Sequence, residues 1–211
     1  MRSLITAFIP IILLFYFGNS KIKEIDCQIN QTPCSEETEQ EFGKFLGQNF
    51  FLVKTDEKVR EMKASYPHWE KIVIKKTPFH KILISITTRQ PVACLLIGDK
   101  IFLLDKEAVV LNERKTNPGL PEIEVEKFKE EEVKRAIEAI FLLNQYSVPC
   151  GRMKIENQQL TLLWPETIVL LPQKELSLKI ASLQMIVSQG KIEDKLPKII
   201  DLRFKKPVIS Y

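Results

Sequence analysis

Glycine and histidine are both rare in this chain. Seven glycines in 211 residues leave no glycine-rich loop to cradle a phosphate and no long flexible linker. Only two histidines are present, and no GxSxG, HExxH or Walker pattern occurs, so the motif signatures of nucleophilic, metal and phosphate chemistry are missing and histidine acid–base chemistry has few candidates. His68 sits in the turn Tyr66-Pro-His-Trp69, and His80 opens a strand in phase with Ile82; both read as surface or boundary residues. The acidic run Glu130-Glu-Glu132 falls on the polar face of a helix. No catalytic residue, cofactor site or metal ligand is assigned, and the chain reads as a non-enzyme without a cofactor. Its formal charge of +4 comes from interleaved lysines and glutamates, the pattern of a solvated surface and not of a nucleic-acid-binding patch.

Cysteine is sparse too. The four cysteines (27, 34, 94 and 150) form no CxxC pair, which argues against a zinc site or a thioredoxin-like motif. In an exported protein an even count allows disulfides, with three connectivities. Cys27 and Cys34 flank a Thr32-Pro33 turn and are placed to close a short loop, which leaves Cys94 and Cys150 as the other pair. The alternative makes Cys94 a small buried apolar residue inside a strand over residues 92–97.

One long apolar run is present, over residues 4–17, with Arg2 ahead of it. As a helix it measures about 21 Å, against a hydrocarbon core of about 30 Å. That length suits a cleaved signal peptide, with Gly18-Asn-Ser20 as the cleavage point, or an anchor. Either reading exports the remainder, which is long enough for one or two modest domains.

Residues 21–29 alternate as a strand. Ser35 followed by Glu36 and Glu37 starts a helix that buries Phe42, Phe45 and Leu46. Thr55-Asp-Glu57 opens a second helix, with Val59 and Met62 inward. Ile72 and Ile74, then Ile82, Ile84 and Ile86, line two strands. The order β-α-α-β-β fills residues 21–90. Beyond Pro91 come short strands over 92–97, 101–104 and 108–111, the first two joined by a Gly98-Asp99 hairpin turn. A loop over 117–121 and an amphipathic helix over 126–144 follow, the helix burying Val133, Ala136, Ile137, Ile140 and Phe141. A meander over 152–171 and a last helix through Leu176, Ile180, Leu183 and Val187 precede the closing run. The second block is therefore an antiparallel sheet with two helices, and the chain is α+β.

The closing run, Lys198-Ile-Ile-Asp-Leu-Arg-Phe-Lys-Lys-Pro-Val-Ile-Ser-Tyr211, reads as one alternating apolar strand. With no strand after it, it is expected at a sheet edge, where free N–H and C=O groups can pair with another chain. Ile199, Ile200, Leu202, Phe204 and Val208 lie in it. Ile200 and Leu202 also fit a plain core role.

Four segments together resemble the FtsQ/DivIB family of bacterial cell-division proteins. They are Leu46-Gly-Gln-Asn-Phe-Phe-Leu52 leading into Thr55-Asp56; Tyr66-Pro-His-Trp69 with Lys71-Ile-Val-Ile-Lys-Lys76 and Arg89-Gln-Pro-Val92; Gly98-Asp-Lys-Ile-Phe-Leu-Leu-Asp-Lys-Glu-Ala-Val-Val-Leu111; and Ile200-Asp-Leu-Arg-Phe204. The resemblance implies a signal-anchor over residues 1–20, a POTRA domain over 21–90 and a β domain over 91–211. It places the chain in the bacterial inner membrane at the division septum, single-pass, with both domains outside. It implies a scaffold that binds the FtsB/DivIC and FtsL proteins with the last part of the β domain, where Arg203 and Phe204 match the family's DLR-aromatic motif; the edge reading of the closing run adds Ile200, Leu202 and Val208 as residues that bind the partner by strand addition. It leaves the cysteine pairing open. Only three residues precede the apolar run, where the family usually has a longer cytoplasmic tail. A POTRA-containing protein of an export or chaperone pathway is the alternative.

Overall fold

The computed structural model describes residues 20–172 and 175–211; the apolar run over residues 4–17 lies outside them. Among the described residues no helix is long and apolar enough to cross a membrane. The chain is mixed α+β, with four α-helices among those residues. It divides into two compact units, Met1–Arg89 and Gln90–Tyr211.

In the first unit, β1 (Glu24–Ile29), β2 (Thr32–Pro33), α1 (Glu36–Gly43), α2 (Thr55–Ser65), β3 (Trp69–Thr77) and β4 (Lys81–Thr88) follow in order. The sheet order is β2-β1-β4-β3, with β1 parallel to β4 and β3 antiparallel to it. Ile82, Ile84 and Ile86 repeat every second residue, so all three reach one face and are buried there. Ser35 caps α1, its hydroxyl accepting from Thr38 N, and Phe42 stacks near Trp69 with centroids 6.2 Å apart. Tyr66 stacks on the same indole at 4.1 Å. Burying a side chain such as Phe42 contributes roughly 2–3 kcal/mol. Leu46 belongs to the turn after α1 and is exposed, contrary to expectation, because the helix ends before it.

Thr32 and Pro33 form a strand and not a turn. The reversal is made by Asn30 and Gln31, both with positive φ, in a two-residue hairpin where Ile29 faces Thr32. This hairpin brings Cys27 and Cys34 to a Cα separation of 5.4 Å, where they form a disulfide. Cys94 and Cys150 are unpaired, which corrects the second expected bridge. Cys94 is buried and donates to Asn117 Oδ1.

The second unit holds β5 (Ala93–Ile97), β6 (Lys100–Leu104), β7 (Val110–Arg114), β8 (Glu122–Val125), α3 (Glu130–Gln145), β9 (Arg152–Glu156), β10 (Gln159–Leu163), β11 (Ile168–Leu171), α4 (Leu176–Ile192), β12 (Ile199–Asp201) and β13 (Val208–Ser210). Nine strands form one sheet in the order β13-β12-β11-β10-β9-β8-β5-β6-β7. It is mixed, not antiparallel: β5–β8, β8–β9 and β11–β12 are parallel. The last two pairs are connected through α3 and α4, and a parallel pair needs such a crossover. Strand β8 was not expected. Its four residues, directly after Pro121, alternate, with Ile123 and Val125 buried between two half-buried glutamates. The buried stripe of α3 keeps Val133, Ala136, Ile137 and Ile140 and differs from expectation at Phe141. Phe141 is exposed, and Ala139 and Leu143 are buried in its place.

Candidate partner-binding edge

Residues 198–211 make two strands and a turn where one strand was expected. Leu202 and Pro207 bracket the turn, and β13 folds back antiparallel on β12, pairing Ile199 with Ser210, Ile200 with Ile209 and Asp201 with Val208. On its other side β12 runs parallel to β11, and Leu202 N donates to Leu170 O at 2.9 Å. The segment carrying Ile200 is therefore interior to the sheet. The open border is β13, the terminal strand in the sheet order.

This topology separates the five predicted residues. Ile200 and Leu202 are fully buried in the core of the unit, so they support the edge and offer it no surface. Arg203 bends back onto its own turn, with Nε 2.9 Å from Asp201 Oδ1 and Nη2 2.6 Å from Oδ2. The Arg203 guanidinium holds the Asp201 carboxyl below the usual carboxylate range. Asp201 in turn raises the Arg203 value. Phe204 and Val208 stand out from the surface, 56% and 54% exposed.

Further exposed residues lie nearby. Ile168, opposite Ile199 in the β11–β12 register, and Ile199 share one sheet face with Val208, whereas Ile209, opposite the buried Ile200, lies on the other; Tyr211 is exposed as well. The Lys195 ammonium sits 4.7 Å from the Tyr211 ring centroid, an arrangement that favours a fixed ring. The short apolar group Val208-Ile209 after Pro207 was the available signal for a second strand.

Lys179 was also missed. It lies on the inward stripe of α4 with Leu176, Ile180, Leu183 and Val187, and it is buried. Its ammonium donates to the carbonyls of Phe204 and Lys205, fixing the turn to the helix. A lone lysine in phase with four apolar residues was its sequence signature. An open cleft of about 660 Å³ lies beside the turn, lined in part by Gln159, Glu175, Lys179, Phe204 and Lys205.

The opposite border of the sheet differs in character. Strand β7 carries Asn112, Glu113 and Arg114, and its pairing with β6 is broken by a register shift. Charges and a bulge are the usual means of blunting an edge. Strand β13 carries neither.

The remaining reactive side chains are engaged elsewhere. His68 packs edge-on against Tyr66 and Trp69, and His80 against Phe50 and Phe51. Burial pushes the Cys150 thiol up to about 12, and burial with the nearby Glu122 carboxylate raises that of Cys94; neither thiol is activated. Neither a protein-family model nor a curated protein matches this chain.

Proposed function

We propose that this protein is a non-enzymatic scaffold of the bacterial division septum. In this reading residues 4–17 anchor it in the inner membrane, residues 21–90 form a POTRA domain, and residues 91–211 form the FtsQ/DivIB-type β domain. The outer domains bind and position the FtsB/DivIC and FtsL partners by adding a partner strand along β13.

The observation that carries the proposal is the contrast between the two borders of the nine-stranded sheet. A border strand that carries no charge or bulge of its own, three residues long after Lys205-Lys206-Pro207 and with Val208, Ile209 and Tyr211 exposed, offers free backbone for strand addition, where main-chain bonds supply affinity and side chains supply selectivity. Phe204 adds an aromatic anchor beside it. Because Arg203 already holds Asp201, its role in this reading is to shape the turn that presents Phe204. The strand and helix order of the first unit, with β1 parallel to β4, supports the POTRA reading.

The test is co-purification of the FtsB/DivIC–FtsL pair with the full chain. Phe204→Ala combined with Val208→Asp is expected to lower partner recovery by at least tenfold, equivalent to about 1.4 kcal/mol. Val110→Asp on the β7 border is expected to leave recovery unchanged. Full recovery by the folded double variant removes β13 from the interface.

A further inference from the structure

A different surface, in the first unit, bears exposed apolar side chains that the scaffold role above does not use. Phe79 projects from the β3–β4 connection and is 91% exposed. Both Phe79 and His80 hold left-handed φ angles, 63° and 62°, where glycine or asparagine is the usual occupant. The chain thus keeps a bulky aromatic at a tip where neither local conformation nor packing within the unit favours one.

The neighbouring side chains continue the pattern. The His80 ring lies 5.2 Å from Phe50 and 6.4 Å from Phe51, and the next residue, Leu52, is 77% exposed. Lysines flank these rings. Lys76 Nζ lies 5.7 Å from the Phe50 centroid and donates to Phe51 O at 3.3 Å, while Lys21 and Lys23 are exposed close by.

The same surface surrounds the start of the described chain. Phe50 N donates to Ser20 O at 2.7 Å, Ile22 N to Gln48 O at 2.9 Å, and Lys23 N to His80 O at 3.0 Å. Lys21 is bridged to Asn49. Ser20 is followed directly by this network and preceded in sequence by the apolar run over residues 4–17. Residues 18–20 separate that run from this network in sequence, and the network includes His80, next to Phe79, and Phe50, two residues before Leu52.

We infer that this end of the first unit docks on an anionic lipid bilayer, with Phe79 and Leu52 entering the boundary of the acyl region and Lys21, Lys23 and Lys76 at headgroup level. Aromatic and leucine side chains rimmed by lysine are the composition that interfacial binding uses, and anionic lipid attracts juxtamembrane lysines. The inference rests on the anchor reading only for proximity. A tether makes the second contact intramolecular, so a weak surface suffices.

The test is Phe79→Trp in the full chain, reconstituted in phosphatidylcholine–phosphatidylglycerol vesicles with brominated or unbrominated acyl chains. Emission of the parent chain, from Trp69 and Trp164, is subtracted, and circular dichroism checks that the fold is kept. The added indole is expected to lose at least half of its emission in brominated lipid. Leu52→Trp repeats the measurement at the second position. In the Phe79→Trp background, Leu52→Asp with Lys76→Glu is expected to restore most of the emission. Equal emission in both lipids at both positions overturns the inference. Equal quenching in vesicles without phosphatidylglycerol overturns the role of the lysines. Flotation of the same samples after an alkaline wash reads the anchor separately. Protein that floats but is unquenched retains the anchor and loses the surface; protein that is quenched but washes away retains the surface and loses the anchor.

Discussion

Replacing Lys179 by methionine isolates what holds the C-terminal turn in place. The side chain is buried on α4, and its ammonium donates to the carbonyls of Phe204 and Lys205. A hydrogen bond from a charged donor contributes about 1.5–3 kcal/mol, so the two together give roughly 3–6 kcal/mol before other terms. Removing the ammonium also removes its desolvation penalty, which is several kcal/mol for a buried ion. Methionine keeps most of the apolar stem, and water can reach carbonyls on exposed residues. With the lost bonds taken at about 4.5 kcal/mol and about 2.5 kcal/mol regained, since the turn residues keep the ammonium close to water, the net expectation is a loss of about 2 kcal/mol. With a urea dependence of about 2 kcal/mol per molar, the midpoint falls by about 1 M. The chain has two compact units, so a global two-state midpoint is the wrong quantity. Trp164 lies in the second unit and Trp69 in the first, and a Trp69→Phe background makes the emission report the second unit alone. An unchanged or higher midpoint refutes the reasoning, because it means an apolar side chain serves α4 as well as the tie does.

Further predictions follow from other contacts. Cys27→Ala with Cys34→Ala opens a loop of seven residues' separation and is expected to destabilise the first unit by about 2–3 kcal/mol on the loop-entropy account; urea unfolding followed at Trp69 measures it, and no change would show that the hairpin holds itself. Asp201 has its carboxyl lowered by Arg203, so the stability it adds is complete above the ordinary aspartate value of about 3.9 and is lost as pH falls through the lower folded-state value. Asp201→Asn is therefore expected to unfold at lower urea than the parent at pH 6, with the gap closing towards pH 3; a constant gap contradicts the pairing. Gly190→Ala should destabilise by about 1–2 kcal/mol although alanine is the better helix former, since a Cβ there meets Lys195 O at 3.1 Å and Leu196 Cδ2 at 2.7 Å; a raised unfolding midpoint would show that residues 195–196 yield freely.

Legibility in the sequence followed the range of the interaction. The isoleucine alternation of β4, the acidic start of α1 after Ser35 and the three- and four-residue spacing of α3 act within a few residues, so each was visible in the chain itself. The Cys27–Cys34 hairpin was visible because its ends are close in sequence, although the turn falls at Asn30-Gln31 and not at Thr32-Pro33. Strand β8 went unassigned although Glu122-Ile-Glu-Val125 alternates polar and apolar residues, and its place is set by β5 and β9 on either side.

By itself the sequence determined the α+β class and most elements, because propensity, capping and hydrophobic period are properties of neighbouring residues. Only the tertiary structure decided which strand of residues 198–211 is the border. Ile200 and Phe204 share one short segment and one parity, yet one is fully buried and the other exposed. The difference arises because β11 claims one side of β12, β13 claims the other, and Lys179 pins the turn between them. Pairings of that kind join residues distant in the chain, and no local pattern encodes which surface they leave uncovered.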